Sequence, residues 1–321
     1  MRLLTIALVG FVLIAADSGE MITRPGLFKQ LTEPPCSYTV TEHRKALVRP
    51  DDRVIAWIRA VHNGGAIPLR HFLAVPRVIN DTYGLFFYDA DGDYVTAYKK
   101  DYGYEFHGWL RGVMVAKGPD GTLWSALSGR AIEGRRKGER LERIPSLVSE
   151  WGHWLMLHPE STAYNLFDGK KYPLGELPKT ISAEAQKTMG KVDPRLAPAA
   201  PVLGVELGGK TNAFPVDSKV ERAVWTAKVG GEDVAVLWYG PTRSAVAFRP
   251  AMEGRKLTFY ADKISPETAP FKDKETGTRW TLAGRGVDGP LKGKELEWVP
   301  SVQCRWFSWA AEFPETAVHG R

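Results

Sequence analysis

A stretch near the middle of this chain returns at its end, and no other feature constrains the fold as strongly. Residues 121–160 read GTLWSALSGRAIEGRRKGERLERIPSLVSEWGHWLMLHPE, and residues 277–315 read GTRWTLAGRGVDGPLKGKELEWVPSVQCRWFSWAAEFPE. With one gap after the first tryptophan, 17 of the 39 aligned columns are identical, where average composition would leave roughly two or three. The likeness extends upstream. Ala66-Ile67-Pro68-Leu69 answers Ala213-Phe214-Pro215-Val216, and Tyr88 with Ala97-Tyr98 answers Tyr239 with Ala247-Phe248. The chain reads as two versions of one unit, so each residue can be weighed against its counterpart.

Short runs broken by Gly, Asp and Pro mark strands rather than long helices. In the first unit these are residues 54–60, 85–88, 94–98, 113–116 and 122–127; in the second, 202–207, 234–239, 245–248, 256–260 and 279–282. Each unit ends in a short helix. Residues 149–157 begin at the capping residue Ser149 and stop before Pro159, with Trp151, Trp154 and His158 on one face. The counterpart carries Trp306, Trp309 and Phe313 and stops before Pro314, and both helices are expected to pack on their own sheets. The fold class is mainly β, a β-rich α+β arrangement. Two tandem homologous units of short antiparallel strands form barrel- or sandwich-like sheets, each closed by a C-terminal helix. The units are placed at 54–167 and 202–321, after an extended segment at 19–53. Between them, residues 168–201 hold a polar helix at 182–191 and the run DPRLAPAAP, a linker by composition.

Met1-Arg2, an apolar run from Leu3 to Ala16 and the small-residue site at Ala16-Asp17-Ser18 have the form of a signal peptide, residues 1–18. Export with cleavage near Ser18, to the periplasm or outside, is the expectation, and an uncleaved anchor is the alternative. Membrane contact is expected only there. In an exported chain, Cys36 and Cys304 become candidates for a disulfide. The net charge of +6 is scattered rather than gathered in a stripe, and no nucleic-acid-binding module is recognisable, so no nucleic acid is expected.

Comparing counterparts thins the candidate chemistry. Gly129, Gly134 and Gly138 recur as Gly284, Gly289 and Gly293, but no Lys-Ser/Thr follows, so turns explain them better than a phosphate loop. Asp89, Asp91 and Asp93 open like a calcium loop, yet the glycine comes early and position twelve is Lys100, so an Asp-Gly turn is favoured and no metal is assigned. His158 faces Phe313 across the repeat, which points to packing. His62, His71 and His107 lack metal-ligand spacing, and no cofactor is expected. Ser244, beside Thr242 and Arg243, is the best-placed hydroxyl, without a nucleophile motif. Trp124 and Trp280 hold equivalent places; with Tyr88, Tyr239 and the paired Arg130 and Arg285 they are candidates for a carbohydrate or peptide platform, with core packing of the aromatics the favoured reading. His107 and Trp109 are candidates for a pocket wall.

Together GTLW…GRAIEG…KG…W..W…HP, the upstream AIPL and VIND, and LWYGPTRSAVAF resemble the domain-of-unknown-function 3179 family of exported bacterial proteins, over both units. That family has no established activity. Its members commonly carry a Cys-Pro-Leu-Cys-Gly turn before the Ser-Ala-Val-Ala-Phe strand. Gly240-Pro241-Thr242-Arg243 stands there in the second unit and Asp89-Ala90-Asp91-Gly92 in the first, so the resemblance implies that a thiol site has been replaced. The reading is a non-catalytic ligand-binding or structural protein. The alternative is a hydrolase or a redox or metal enzyme acting in a cleft between the units, through Arg243, Ser244 and the Asp89–Asp93 turn.

Overall fold

The structure is a computed structural model that describes residues 21–34, 36–37, 48–60, 63–71, 75–164 and 180–321. The signal peptide and its alternative anchor, His62 and the first part of the linker, 168–179, lie outside the described residues. The extended segment 19–53 is described only in part.

Among the described residues the chain is mainly β, with several antiparallel sheets, no closed barrel and few helices. Its elements repeat in the same order. In the first half, strands Leu147–Glu150, Arg53–Ala60, Asn63–Pro68 and Thr162–Tyr164 lie side by side in that order. In the second, Ser301–Arg305, Pro201–Leu207, Lys210–Pro215 and Ala317–Val318 do the same. In both, the last strand pairs parallel to its neighbour while the others are antiparallel. We call these the cross sheets. Each half adds a four-stranded sheet built on three antiparallel strands (Arg77–Asp81, Gly84–Asp89 and Tyr94–Tyr98; Arg222–Val229, Glu232–Tyr239 and Ser244–Phe248), edged by Leu31–Thr32, parallel, in the first half and by Trp298–Val299, antiparallel, in the second. A four-stranded meander follows each, at Glu105–Leu110 to Ala131–Glu133 and at Phe259–Ala261 to Gly286–Asp288. The expected strand 122–127 shrinks to Leu123–Ser125, because the chain turns at once through Gly129 at φ +70°.

The cross sheets are buried on both faces, which explains apolar runs such as Val54-Ile55-Ala56-Trp57. Successive side chains of a strand point to opposite faces. Ile55 and Trp57 pack on Ile79, Phe86 and Tyr88 of their own half. Val54 and Ala56 face the other way, into a core shared with Leu237, Tyr239, Phe248 and Trp280 of the second half. The second cross sheet mirrors this. Leu203 and Val205 pack on Val234, Val236 and Trp238, while Val202 and Val302 enter a core with Tyr94, Tyr98, Tyr104 and Trp124 of the first half. Two of the four cores therefore belong to neither half alone.

The helices sit in these shared cores. α1 (Trp151–Leu157) and α3 (Trp306–Glu312) begin at Glu150 and Arg305, so Ser149 is a strand residue and not the cap that its sequence suggests. Its hydroxyl lies 3.2 Å from His153 Nδ1 instead. Trp151 and Trp154 lie against their own cross sheet, and their burial is completed by the other half, beyond the own-sheet packing expected. Trp309 covers Gly204 so closely that a Cβ there would come within 2.2 Å of its ring. The linker helix α2 (Ala183–Thr188) is capped by Ser182, whose N–H and hydroxyl both donate to Asp91, at 2.6 and 2.9 Å.

Cys304 is a buried free thiol whose pKa burial pushes up. It lies in the second cross sheet opposite Val202, whereas the backbone of Cys36 pairs with Tyr164 in the first. The candidate bridge is not formed, and the side chain of Cys36 lies outside the described residues.

Because Gly204 is where helix and cross sheet approach most closely, Gly204→Ala must push the buried Trp309 out of the shared core. It is expected to destabilise the whole chain by about 1–3 kcal/mol, read from the midpoint of chemical denaturation as one cooperative transition.

Candidate functional site

The structure brings the two unequal turns together at the seam between the halves. Asp93 and Arg243 are counterparts, each just before the third strand of its sheet and each left-handed, at φ +47° and +48°. Glu150 and Arg305 are also counterparts, as N-caps of α1 and α3. The charges are exchanged across the repeat. Arg243 Nη2 lies 3.8 Å from Glu150 Oε1, and Arg305 attracts Asp93 while donating through Nη1 to the Asp91 carbonyl at 2.9 Å. Arg53 spans both turns, donating to the Thr242 carbonyl at 3.2 Å and attracting Asp93. Gln303 clamps the second turn, donating to the Arg243 carbonyl and accepting from Ala245 N–H, both at 2.9 Å.

These turns act as a lock. Asp89 is fully buried and accepts the N–H groups of Asp91 and Gly92 at 3.0 and 3.4 Å. Burial and then the neighbouring Asp91 charge raise its pKa to about 7. Asp93 reaches solvent, and partial burial raises its pKa against the pull of Arg53, Arg305 and Arg243. The buried Ser244 hydroxyl donates to the Thr242 carbonyl at 2.9 Å and lies 2.8 Å from the Thr242 hydroxyl. It is engaged in the turn and is not presented as a nucleophile. Among the described residues, no three His, Cys, Asp or Glu side chains are grouped to hold a metal ion.

The other candidates scatter. Trp124 and Trp280 are fully buried, one in each shared core, so they make no exposed platform. Trp280 donates to Asp273 at 2.8 Å, and Arg136 covers the Trp124 ring. Tyr88 is buried beneath the first cross sheet. Tyr239 is buried too, stacked on His153, whose pKa burial lowers. Trp109 packs edge-on against Phe106 in the first meander. His107, in the same strand, has a pKa lowered by burial and then by Lys117.

The open space lies elsewhere on the seam. A cleft of about 590 Å³ runs between Trp57, Ile58, Tyr83, Ile144 and Trp154 of the first half and Phe248, Arg285, Leu296 and Trp298 of the second. A smaller recess of about 330 Å³ shares His158 and Arg285 with it and continues past the end of α1. Ile58, Tyr83 and Met156, among the few large apolar side chains left exposed, all line one or the other.

Equivalent positions in the other half are taken up by polar side chains engaged with each other, with the backbone or with an aromatic ring. Trp298 corresponds to Arg143, which donates to the Leu127 carbonyl and lies over the Tyr98 ring. Ile58 and Glu295 correspond to Glu206 and Arg140, which form an ion pair. His158 packs on Trp154 with ring centres 4.2 Å apart, as Phe313 packs on Trp309 at 4.4 Å. The counterpart comparison thus identifies its packing role but misses that its ring also walls both cavities. The signal was present in the columns where the two copies differ: Leu157 against Glu312, Glu295 against Arg140, Trp298 against Arg143.

A family model described as protein of unknown function (DUF3179) matches residues 112–316, in one stretch that spans parts of both halves. No curated protein and no solved structure matches the chain.

Burial, and then the Arg285 charge, lower the His158 pKa to about 4, from an ordinary value near 6.5. The native imidazole resists a proton that the unfolded chain accepts, so stability falls as pH drops from about 6.5 through 4. His158→Phe, which copies the counterpart, is expected to remove that part of the acid sensitivity. Its stability advantage over the parent chain should grow to on the order of 2 kcal/mol between pH 7 and pH 4, measured by thermal melts across that range.

Proposed function

We take as premise that this chain belongs to the DUF3179 family, proteins of unknown function, and propose that it is a non-catalytic binding protein. Its ligand site is the cleft of about 590 Å³ at the seam between two duplicated units. The repeated sheet order supports reading the halves as two copies of one ancestral unit, each with its thiol-bearing turn replaced by a seam lock. The N-terminal sequence supports reading the protein as exported.

The observation that carries the proposal is the asymmetry of the seam. Binding sites for small molecules are concave, largely apolar and lined by aromatic side chains with a few polar groups, at volumes of about 300–1,000 Å³. The cleft has this character, with Trp57, Tyr83, Trp154, Phe248 and Trp298 around Arg285 and His158. A chain whose other copy closes the same positions with ion pairs leaves apolar side chains facing water here. Exposure of that kind marks a surface meant to be covered. The occupant is a small molecule with an apolar or aromatic body.

N-phenylnaphthylamine, a neutral fluorophore that brightens in apolar surroundings, tests this. Its emission is expected to rise saturably with the parent chain. Ala283→Trp, which fills the cleft from a half-buried position, should weaken binding at least about tenfold, or about 1.4 kcal/mol, with an unchanged melting temperature. No saturable rise, or equal binding by the filled variant, would contradict the assignment.

A further inference from the structure

We propose that the recess of about 330 Å³ beyond His158 is a carboxylate-binding subsite. The ligand is then an amphipathic acid, with its apolar body in the larger cleft and its carboxylate on Arg285. This rests on the larger cleft being a binding site and adds the chemical class of what it binds.

The first support is the lining of the recess. Arg285 and Lys292 bring two positive charges and Thr268 and Thr281 two hydroxyls, and among the described residues no acidic side chain lines it. Neither Arg285 nor Lys292 has a side-chain hydrogen-bond or ion-pair partner among the described residues. The Thr281 hydroxyl accepts the Arg285 backbone N–H at 3.1 Å, which leaves its own proton to donate. His158 is neutral at neutral pH, so it neither repels an anion nor replaces Arg285 as its partner. A guanidinium is the side chain best shaped for a carboxylate, which it can hold through two parallel N–H···O bonds.

The second support is independent and comes from the repeat. The counterpart of Arg285 is Arg130, and the counterpart of Leu157, the last residue of α1, is Glu312, the last residue of α3. In the first half's equivalent place burial raises the pKa of the Glu312 carboxyl group, and the Ser128 and Ser125 hydroxyls and the charge of Arg130 oppose that rise. One copy of this site therefore carries a carboxyl group supplied by the chain itself. The other has the arginine and the hydroxyl but leucine in place of the acid, and it is open. What a carboxylate of the protein does in the first half, a carboxylate of a ligand does in the second.

Phenylbutanoate and its neutral amide, phenylbutanamide, share one body and differ in charge. Each is titrated against N-phenylnaphthylamine bound to the intact chain. The acid is expected to displace the probe at a concentration at least about tenfold lower than the amide. In Arg285→Gln, a partly exposed change, acid and amide should become equal, each displacement being read against the probe's own affinity for that variant. Leu157→Glu, which supplies the built-in carboxylate of the other half, should also cancel the preference for the acid. If acid and amide displace the probe equally from the parent chain, the subsite is wrong and the cleft assignment stands. If the probe does not bind, the cleft assignment fails, and calorimetry with phenylbutanoate alone reads the subsite. Heat that disappears in Arg285→Gln upholds the subsite, and absence of heat overturns it.

Discussion

Burial of both faces of each cross sheet, one against its own half and one against the other, is the constraint on which everything else rests. Alternating side chains give a strand two faces, and in Val54-Ile55-Ala56-Trp57 both are apolar, so neither can be left to water. Fully burying a side chain of valine to phenylalanine size is worth about 1.5–3 kcal/mol. The shared cores hold several such residues together with Trp151, Trp154, Trp306 and Trp309. Exposed or half-exposed ion pairs such as Arg243–Glu150, at 3.8 Å, contribute roughly 0–1 kcal/mol. The apolar cores hold the halves together, and the charges at the seam decide how they face each other.

That division of labour accounts for the two unequal turns. Two halves with the same sheet order that pack on each other would by default present like residues to like at the centre. Here the exchange of Asp93 for Arg243 and of Arg305 for Glu150 makes each contact attractive. It also makes the two halves non-equivalent, so they are free to diverge where they meet. In one place Arg140, Arg143, Glu206 and Glu312 fill the seam. In the related place Trp298, Ile58 and Arg285 surround an open cleft. The functional reading follows from this difference between copies, while the shared residues hold the frame.

Much of the architecture was legible in the sequence because the repeated stretch writes the frame twice. Strand Tyr94–Tyr98 and the ends of α1 and α3 before Pro159 and Pro314 were readable from local chemistry alone. The cross sheets were harder. Strands Asn63–Pro68 and Lys210–Pro215 carry Gly, Asn and Pro, which read as turn residues, and they are held in place by partners distant in sequence. The turns after Tyr88 and Tyr239 drew attention because the repeat does not hold there, and the open cleft lies at other residues. The role of the turns as a lock depends on Arg53 and Arg305 arriving from other elements, which no local pattern records. His158 was read as a packing residue, and it is one. Its second role, as the wall between two cavities, belongs to the seam and appears only when the halves are assembled.

Cross-packing is tested most directly by dividing the chain into residues 1–179 and 180–321 and following each piece by far-ultraviolet circular dichroism and thermal melting. Each cross sheet would then be missing the half that covers its second face. The account predicts that neither piece alone melts cooperatively. Co-expressed, the two should copurify as a one-to-one complex with a single transition. A cooperative transition from either piece in isolation would show that the halves are independent domains and would contradict the shared cores.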